Sequence, residues 1–199
     1  MAASTPRATR CEPPRLEDRM LDVDTYAALA RLKPVPPLEL SSPDFDPDGP
    51  LPVWAWSESR GGDDRSPGLV WGEPPAGTKS FALSVYDPDA PTGSGFWHWA
   101  VANIPADVRS LPAGAGDGEP GSLPAQAITL PNEARLPRYI GAAPPAGTGV
   151  HRYVITVDAL DIEEIDLDGD ETPAYLGFNR HFHVLARGIL VGTADPSER

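Results

Sequence analysis

The chain has 199 residues, among them 25 prolines and 19 glycines, so 44 of 199 positions favour turns. That share is above the ~12% average for the pair and below the ~25–30% of disordered chains; with 40% hydrophobic residues it describes a turn-rich globular protein with a sizeable core, not a collagen, a coiled coil or a helical bundle. The formal charge of −13 argues against a nucleic-acid footprint or a general attraction to anionic membrane, since both need clustered Lys and Arg.

The only cysteine, Cys11, rules out an intramolecular disulfide. It lies in a stretch with Arg7, Arg10, Arg15 and Arg19 that lacks the apolar region of a signal peptide. No segment approaches the ~20 consecutive apolar residues of a membrane span, so a cytoplasmic protein with no stable membrane insertion is expected. Residues 1–37 read as a flexible leader, poorest in apolar residues over 1–19, and residues 38–199 as a single domain. Within the leader a short helix is expected over 24–32, capped by Asp24, with Tyr26, Leu29 and Leu32 on one face and Pro34, Pro36 and Pro37 ending it.

From Leu38 onward the pattern is strand, turn, strand. Short strands are expected over 38–40, 53–56 and 69–71, with a loop at Gly61-Gly62-Asp63-Asp64. Three longer runs rich in Phe, Val, Ile, Trp and Tyr, over 80–86, 96–103 and 152–160, read as central strands. Near the C-terminus Thr172 can cap a helix that begins with Pro173 and continues to about Arg187, before a last strand over 189–191. Many strands, two helices and no βαβ rhythm predict a mainly β (α+β) protein, a β-sandwich with a few peripheral helices.

Chemistry concentrates in three places. Asp87-Pro88-Asp89-Ala90-Pro91 leaves the 80–86 strand as a segment stiffened by two prolines, which fits either an ordinary turn or a rigid platform for a carboxylate. His98 sits in an apolar strand whose alternation puts Phe96, His98 and Ala100 on one face and Trp97, Trp99 and Val101 on the other. A histidine so placed must find a partner in the core or stand at a pocket. His151 opens another strand with Tyr153 on its own face, after the small-residue and proline stretch 139–149. That stretch is a surface loop or a close-approach anion nest; it is neither a dinucleotide fingerprint nor a phosphate-binding loop.

Asp87-Pro-Asp-Ala-Pro91, His98-Trp, Asn103-Ile-Pro, Gly141-Ala-Ala-Pro-Pro145 and Gly149-Val-His-Arg-Tyr153 occur in one order, followed by Gly177-Phe178-Asn179. The set closely resembles the phosphatidylethanolamine-binding protein family, also called the Raf kinase inhibitor protein family, and its bacterial Raf-kinase-inhibitor-like branch most of all, over residues 38–192. The resemblance implies an antiparallel β-sandwich with an anion cavity at one end. Asp87, Phe96, His98, Gly141, Ala143, Pro144, Pro145, His151 and Tyr153 would line that cavity. It implies binding of a small anionic ligand (phosphate, acetate or a phospholipid headgroup), no catalytic residues, no cofactor and a homodimer. Ala143 stands where eukaryotic members carry glycine. Chemically, two imidazoles and a tyrosine hydroxyl suit phosphate oxygens, while Asp87 would accept from an ethanolamine-like amine or share a proton with the phosphate.

Other readings carry less. Two histidines and a carboxylate match a non-haem iron triad, but the His181-x-His183 pair would diverge by about 200° on a helix, and no metal is assigned. No Gly-x-Ser-x-Gly elbow accompanies the histidines, so hydrolase or transferase activity has no support. The acidic run 158–171 lacks the calcium-loop pattern and reads as a solvated connection. Regulation by contact with a kinase or serine protease is the alternative function that the family suggests.

Overall fold

The computed structural model describes residues 24–198; residues 1–23 and 199, and with them Cys11 and most of the expected leader, lie outside the described residues. Helix α1 (Thr25–Leu32) is capped by Asp24, whose carboxylate accepts from the Ala27 amide at 2.8 Å. The strands are β1 (Leu40–Ser41), β2 (Leu69–Trp71), β3 (Ser80–Asp87), β4 (Phe96–Pro105), β5 (Ser110–Leu111), β6 (Ile128–Thr129), β7 (His151–Leu160) and β8 (Val184–Ala194). Helix α2 (Pro173–His183) runs directly into β8, and its N-cap Thr172 accepts from the Tyr175 amide.

The strands form two antiparallel sheets: five strands in the order β6-β4-β3-β7-β8, and three in the order β1-β2-β5. The inner face of the large sheet carries Phe81, Leu83, Val85, Trp99, Val101, Ile155 and Val157, packed with Leu69, Trp71 and Leu111 of the small sheet and with Trp56. Its outer face packs Ala82, Ala100, Ala102 and Leu160 against Leu176 of α2. The result is the expected sandwich with peripheral helices. Two buried apolar layers, one on each face of the same sheet, explain why β3 is buried at every position but Tyr86 instead of alternating.

The element boundaries differ from expectation in three places. Residues 53–56 are not a strand: Val53–Ala55 form a 3₁₀ turn after Pro52, with the Trp56 amide donating to the Val53 carbonyl at 3.0 Å. The expected strand over 38–40 shrinks to Leu40–Ser41. The C-terminal helix stops at His183 rather than near Arg187, because residues 184–194 pair with β7 along its whole length and bury alternate side chains. Gly188 is therefore not a helix stop; it lies in β8, where a Cβ would meet Leu40 Cβ at 2.7 Å.

The bulge in β4 at Asn103, in the Asn103-Ile-Pro motif, also has a structural cause. Asn103 sits at φ +59° where the β3–β4 register slips, and its side-chain amide pairs with both backbone groups of Ile165 at 3.1 and 2.9 Å.

Candidate functional site

Strand ends and one loop converge at the edge of the inner face. Asp87 ends β3, Phe96 begins β4 directly opposite it, and His151 begins β7. A cavity of about 340 Å³ lies there, walled by Asp87, Phe96, His98, Gly141, Ala143, Pro145, His151 and Tyr153, with Ser57, Ser59, Ala90, Pro91, Thr92 and Ile140. Eight of the nine residues named from the sequence are thus brought together; Pro144 is not among the walls, and its carbonyl instead accepts from Arg60 Nη2 at 3.0 Å.

The strict alternation expected for β4 does not hold. Tyr86 pairs with Trp97 but Val85 pairs with Trp99, which leaves His98 as one extra residue in the strand. The slip puts His98 and Trp99 on the same, inner face: His98 stacks between Phe96 (centroids 4.8 Å) and Tyr153 (5.0 Å), while Trp99 packs on Tyr139. Without it, either the histidine or the tryptophan would face α2.

The carboxylates of the Asp-Pro-Asp segment reach adjacent residues of β7. Asp87 Oδ2 accepts from His151 Nδ1 at 2.7 Å and Oδ1 accepts from the Asp89 amide at 2.8 Å. Asp89 accepts from the Arg152 amide, Nε and Nη2 at 2.9, 2.8 and 2.7 Å. These bonds raise the Arg152 pKa further above its ordinary value, against the effect of burial. The two prolines therefore serve a clamp: the segment is stiff, and each aspartate seizes one residue of the His-Arg pair.

His151 Nε2 lies 2.7 Å from Thr148 Oγ1, so both of its ring nitrogens are engaged within the protein. His98 differs. Its Nδ1 is 2.8 Å from the Ile140 carbonyl, which can only accept, so Nδ1 carries a hydrogen and Nε2 is left without a protein partner. Burial lowers the His98 pKa below its ordinary 6.5, outweighing the Ile140 bond and the Asp87 carboxylate that raise it. At neutral pH the ring offers the cavity a lone pair. Tyr153 is 1% exposed, and its hydroxyl has only a weak approach from the Ala143 backbone amide, with no partner at full hydrogen-bond geometry. Burial, with Asp87 adding to it, holds the Tyr153 pKa well above the usual phenol value, so it keeps its proton.

The expected supply of backbone donors from the 141–149 loop is reduced at its start, because the Gly141 amide is taken by buried Asp64 Oδ1 at 2.6 Å. Gly141 is needed for close approach instead: a Cβ there would stand 2.2 Å from the Trp56 carbonyl carbon. The 53–57 segment is sewn to this loop by Ser57 N to Ala142 O at 2.9 Å and Ala142 N to Ala55 O at 3.2 Å. That seam brings in Ser57 and Ser59, which sequence reasoning missed. Ile140 and Asp64 were missed for the same reason, each acting through a contact made across the fold, whereas Thr148 reaches His151 from three residues away. Among the described residues, no group of three or more His, Cys, Asp or Glu side chains is arranged to hold a metal ion, and no helix is long and apolar enough to cross a membrane.

The family model for phosphatidylethanolamine-binding proteins matches residues 41–195. The chain is 54% identical over 129 residues to the UPF0098 protein YbhB of Escherichia coli K12, covering 65% of this chain and 80% of that protein. Among solved structures it is similar to E. coli YbcL, described as a member of the mammalian PEBP family, with a TM-score of 0.77 and 36% identity over 79% of this chain and 98% of that one. It is also similar to the homologue CT736 of Chlamydia trachomatis, with a TM-score of 0.68 and 27% identity over 80% and 97% of the two chains. With the sandwich, the clamp on His-Arg and the matched span in agreement, the chain belongs to the phosphatidylethanolamine-binding protein family.

Proposed function

We propose that the chain is a non-enzymatic binding protein whose cavity takes a small phosphate-like or carboxylate anion, including the phosphate of a phospholipid headgroup such as phosphorylethanolamine. Membership of the family supports a ligand-binding or regulatory role in general. One observation carries the finer reading. The side chains of Asp87 and His151 and the Gly141 amide are satisfied inside the protein, whereas His98 Nε2 and the Tyr153 hydroxyl are not. An unpartnered buried polar group such as the Tyr153 hydroxyl costs roughly 1–3 kcal/mol, so a ligand that answers it and meets the His98 lone pair is favoured.

Tyr153 donates to an oxygen of the ligand. His98 completes the pair with a ligand that brings a proton, or by taking one up. A monoprotonated phosphate ester meets both demands directly; a carboxylate meets them with proton uptake. The Asp87 carboxylate, held by His151, disfavours a free dianion and suits a zwitterionic headgroup. No activated nucleophile stands beside the imidazole: Ser57 Oγ shares its hydrogen bond with Ser59 Oγ at 3.0 Å.

Calorimetry with phosphorylethanolamine, phosphate and acetate, on wild type, His98→Ala and Tyr153→Phe, tests this. Saturable wild-type binding that weakens at least tenfold in both variants is expected. No binding by wild type, or binding indifferent to His98, overturns the reading and leaves contact with a kinase or serine protease as the function. On the same reading the protein works in the cytoplasm as a homodimer, which fractionation and light scattering check.

A further inference from the structure

A second cavity, of about 420 Å³, lies on the opposite face of the large sheet, between α1 and α2. Its walls are apolar: Leu29 and Leu32 from α1, Trp97 from β4, Phe178 and Phe182 from α2. Leu32, Phe178 and Phe182 are 76%, 62% and 61% exposed, and the two phenylalanines meet edge to face at 5.3 Å. Such an exposed apolar patch is more than scattered surface hydrophobicity.

The floor is charged and unbalanced. Asp158, fully buried, accepts from Arg187 Nε and Nη2 at 2.6 and 2.9 Å and forms an ion pair with Arg180, whose Nε lies 3.1 Å away. Two guanidinium groups thus share one carboxylate. Arg180 is 3% exposed; its Nη2 donates to Ser84 Oγ at 3.1 Å and its Nη1 has no partner. None of the residues lining the groove is acidic, and Lys33 closes the far end of α2 by donating to the His181 and Phe182 carbonyls at 3.1 and 3.3 Å. In a chain of net charge −13 this is a local excess of buried positive charge, which a protein rarely keeps without a counterion.

Gly177 is the third independent feature. It sits in the middle of α2, where glycine weakens a helix, and it lines the groove; a Cβ built on it meets nothing within 4 Å. The absent side chain is not required by packing. It leaves the groove open.

We propose that this groove binds a single-chain amphiphilic carboxylate of the fatty-acid class, its aliphatic chain along Leu29, Leu32, Phe178 and Phe182 and its head over Arg180 and Arg187 as the counterion that the pair lacks. The site is separate from the Asp87–His151 cavity and does not depend on what that cavity binds.

The test is calorimetry with decanoate, decanol and acetate, below the aggregation concentration of the amphiphiles, on wild type, Gly177→Leu and Arg187→Gln. Decanoate is expected to bind one-to-one and at least tenfold tighter than decanol. Gly177→Leu, which fills open space on a helix and is expected to melt no lower than wild type, should weaken decanoate at least tenfold. Arg187→Gln leaves Arg180 and Asp158 as a neutral pair and should erase the preference for decanoate over decanol. Equal binding of decanoate and decanol by wild type, or decanoate binding unchanged in Gly177→Leu, overturns the proposal. So does light scattering that shows a dimer broken by Gly177→Leu with no decanoate binding, since the groove's occupant is then a second copy of the chain.

Discussion

Raising the pH from 6.5 to 8 is expected to weaken acetate binding in the Asp87–His151 cavity, by at most about tenfold for each pH unit. Acetate is the chosen probe because it stays ionised throughout that range. In the protein without ligand, His98 is neutral there, since burial lowers its pKa below 6.5. A carboxylate about 4 Å from the protonated ring gains about 4 kcal/mol at an effective dielectric of 20, close to three factors of ten in proton affinity at 1.36 kcal/mol each. The liganded imidazole therefore holds its proton to a higher pH than the free one does. Acetate binding thus takes up at most one proton, and affinity falls as the pH rises. Calorimetry in two buffers of different ionisation enthalpy reads the uptake directly, with a clear fraction of a proton per acetate expected. Uptake near zero and flat affinity would refute the assignment of His98 as the titrating group. The folded protein alone moves the other way. Its buried His98 binds a proton less readily than the unfolded chain does, so this histidine leaves stability whole above about 6.5 and lowers it as pH falls from there toward the depressed folded value.

Three substitutions probe the supports of the site. Asp89→Asn weakens a buried acceptor that takes three bonds from Arg152, and a loss of about 3 kcal/mol is expected, seen as a fall of roughly 6–12 °C in thermal melting; a change under about 2 °C would show the clamp to be unimportant. Gly141→Ala drives a Cβ to 2.2 Å from the Trp56 carbonyl carbon, backbone against backbone, and should cost about 3 kcal/mol or more in urea denaturation. Leu176→Ala empties a fully buried position between α2 and the sheet; a loss of about 2–5 kcal/mol is expected, and a loss below 1 kcal/mol would mean that the helix is not held by this contact.

The candidate site was legible because its residues come in short rigid groups. Asp87-Pro-Asp and His151-Arg-Tyr each keep two functional side chains at a spacing set by local backbone geometry, so order and residue type were enough to nominate them. What each nitrogen and oxygen does was not legible. His151 resembled His98 as a donor to a ligand, yet both of its nitrogens are engaged, one by Asp87 from 64 residues earlier. Ser57 and Ser59 carried no signal, since only the seam between residues 55–57 and 142 brings them to the cavity.

The division has a physical reason. Chain composition, proline and glycine placement and apolar runs report local conformational preference, and from these the β-rich class, the three long strands, the start of α2 and the two motif groups follow. Pairing energy is non-local, so the sequence misplaced whatever depends on it. The stretch 184–188 continues a helical pattern but is taken by β7. The one-residue slip that turns His98 and Trp99 to the same face exists only in the register between β3 and β4. The shared carboxylate of Asp158, which sets two arginines 7 residues apart under one groove, arises only when β8 and α2 close on β7.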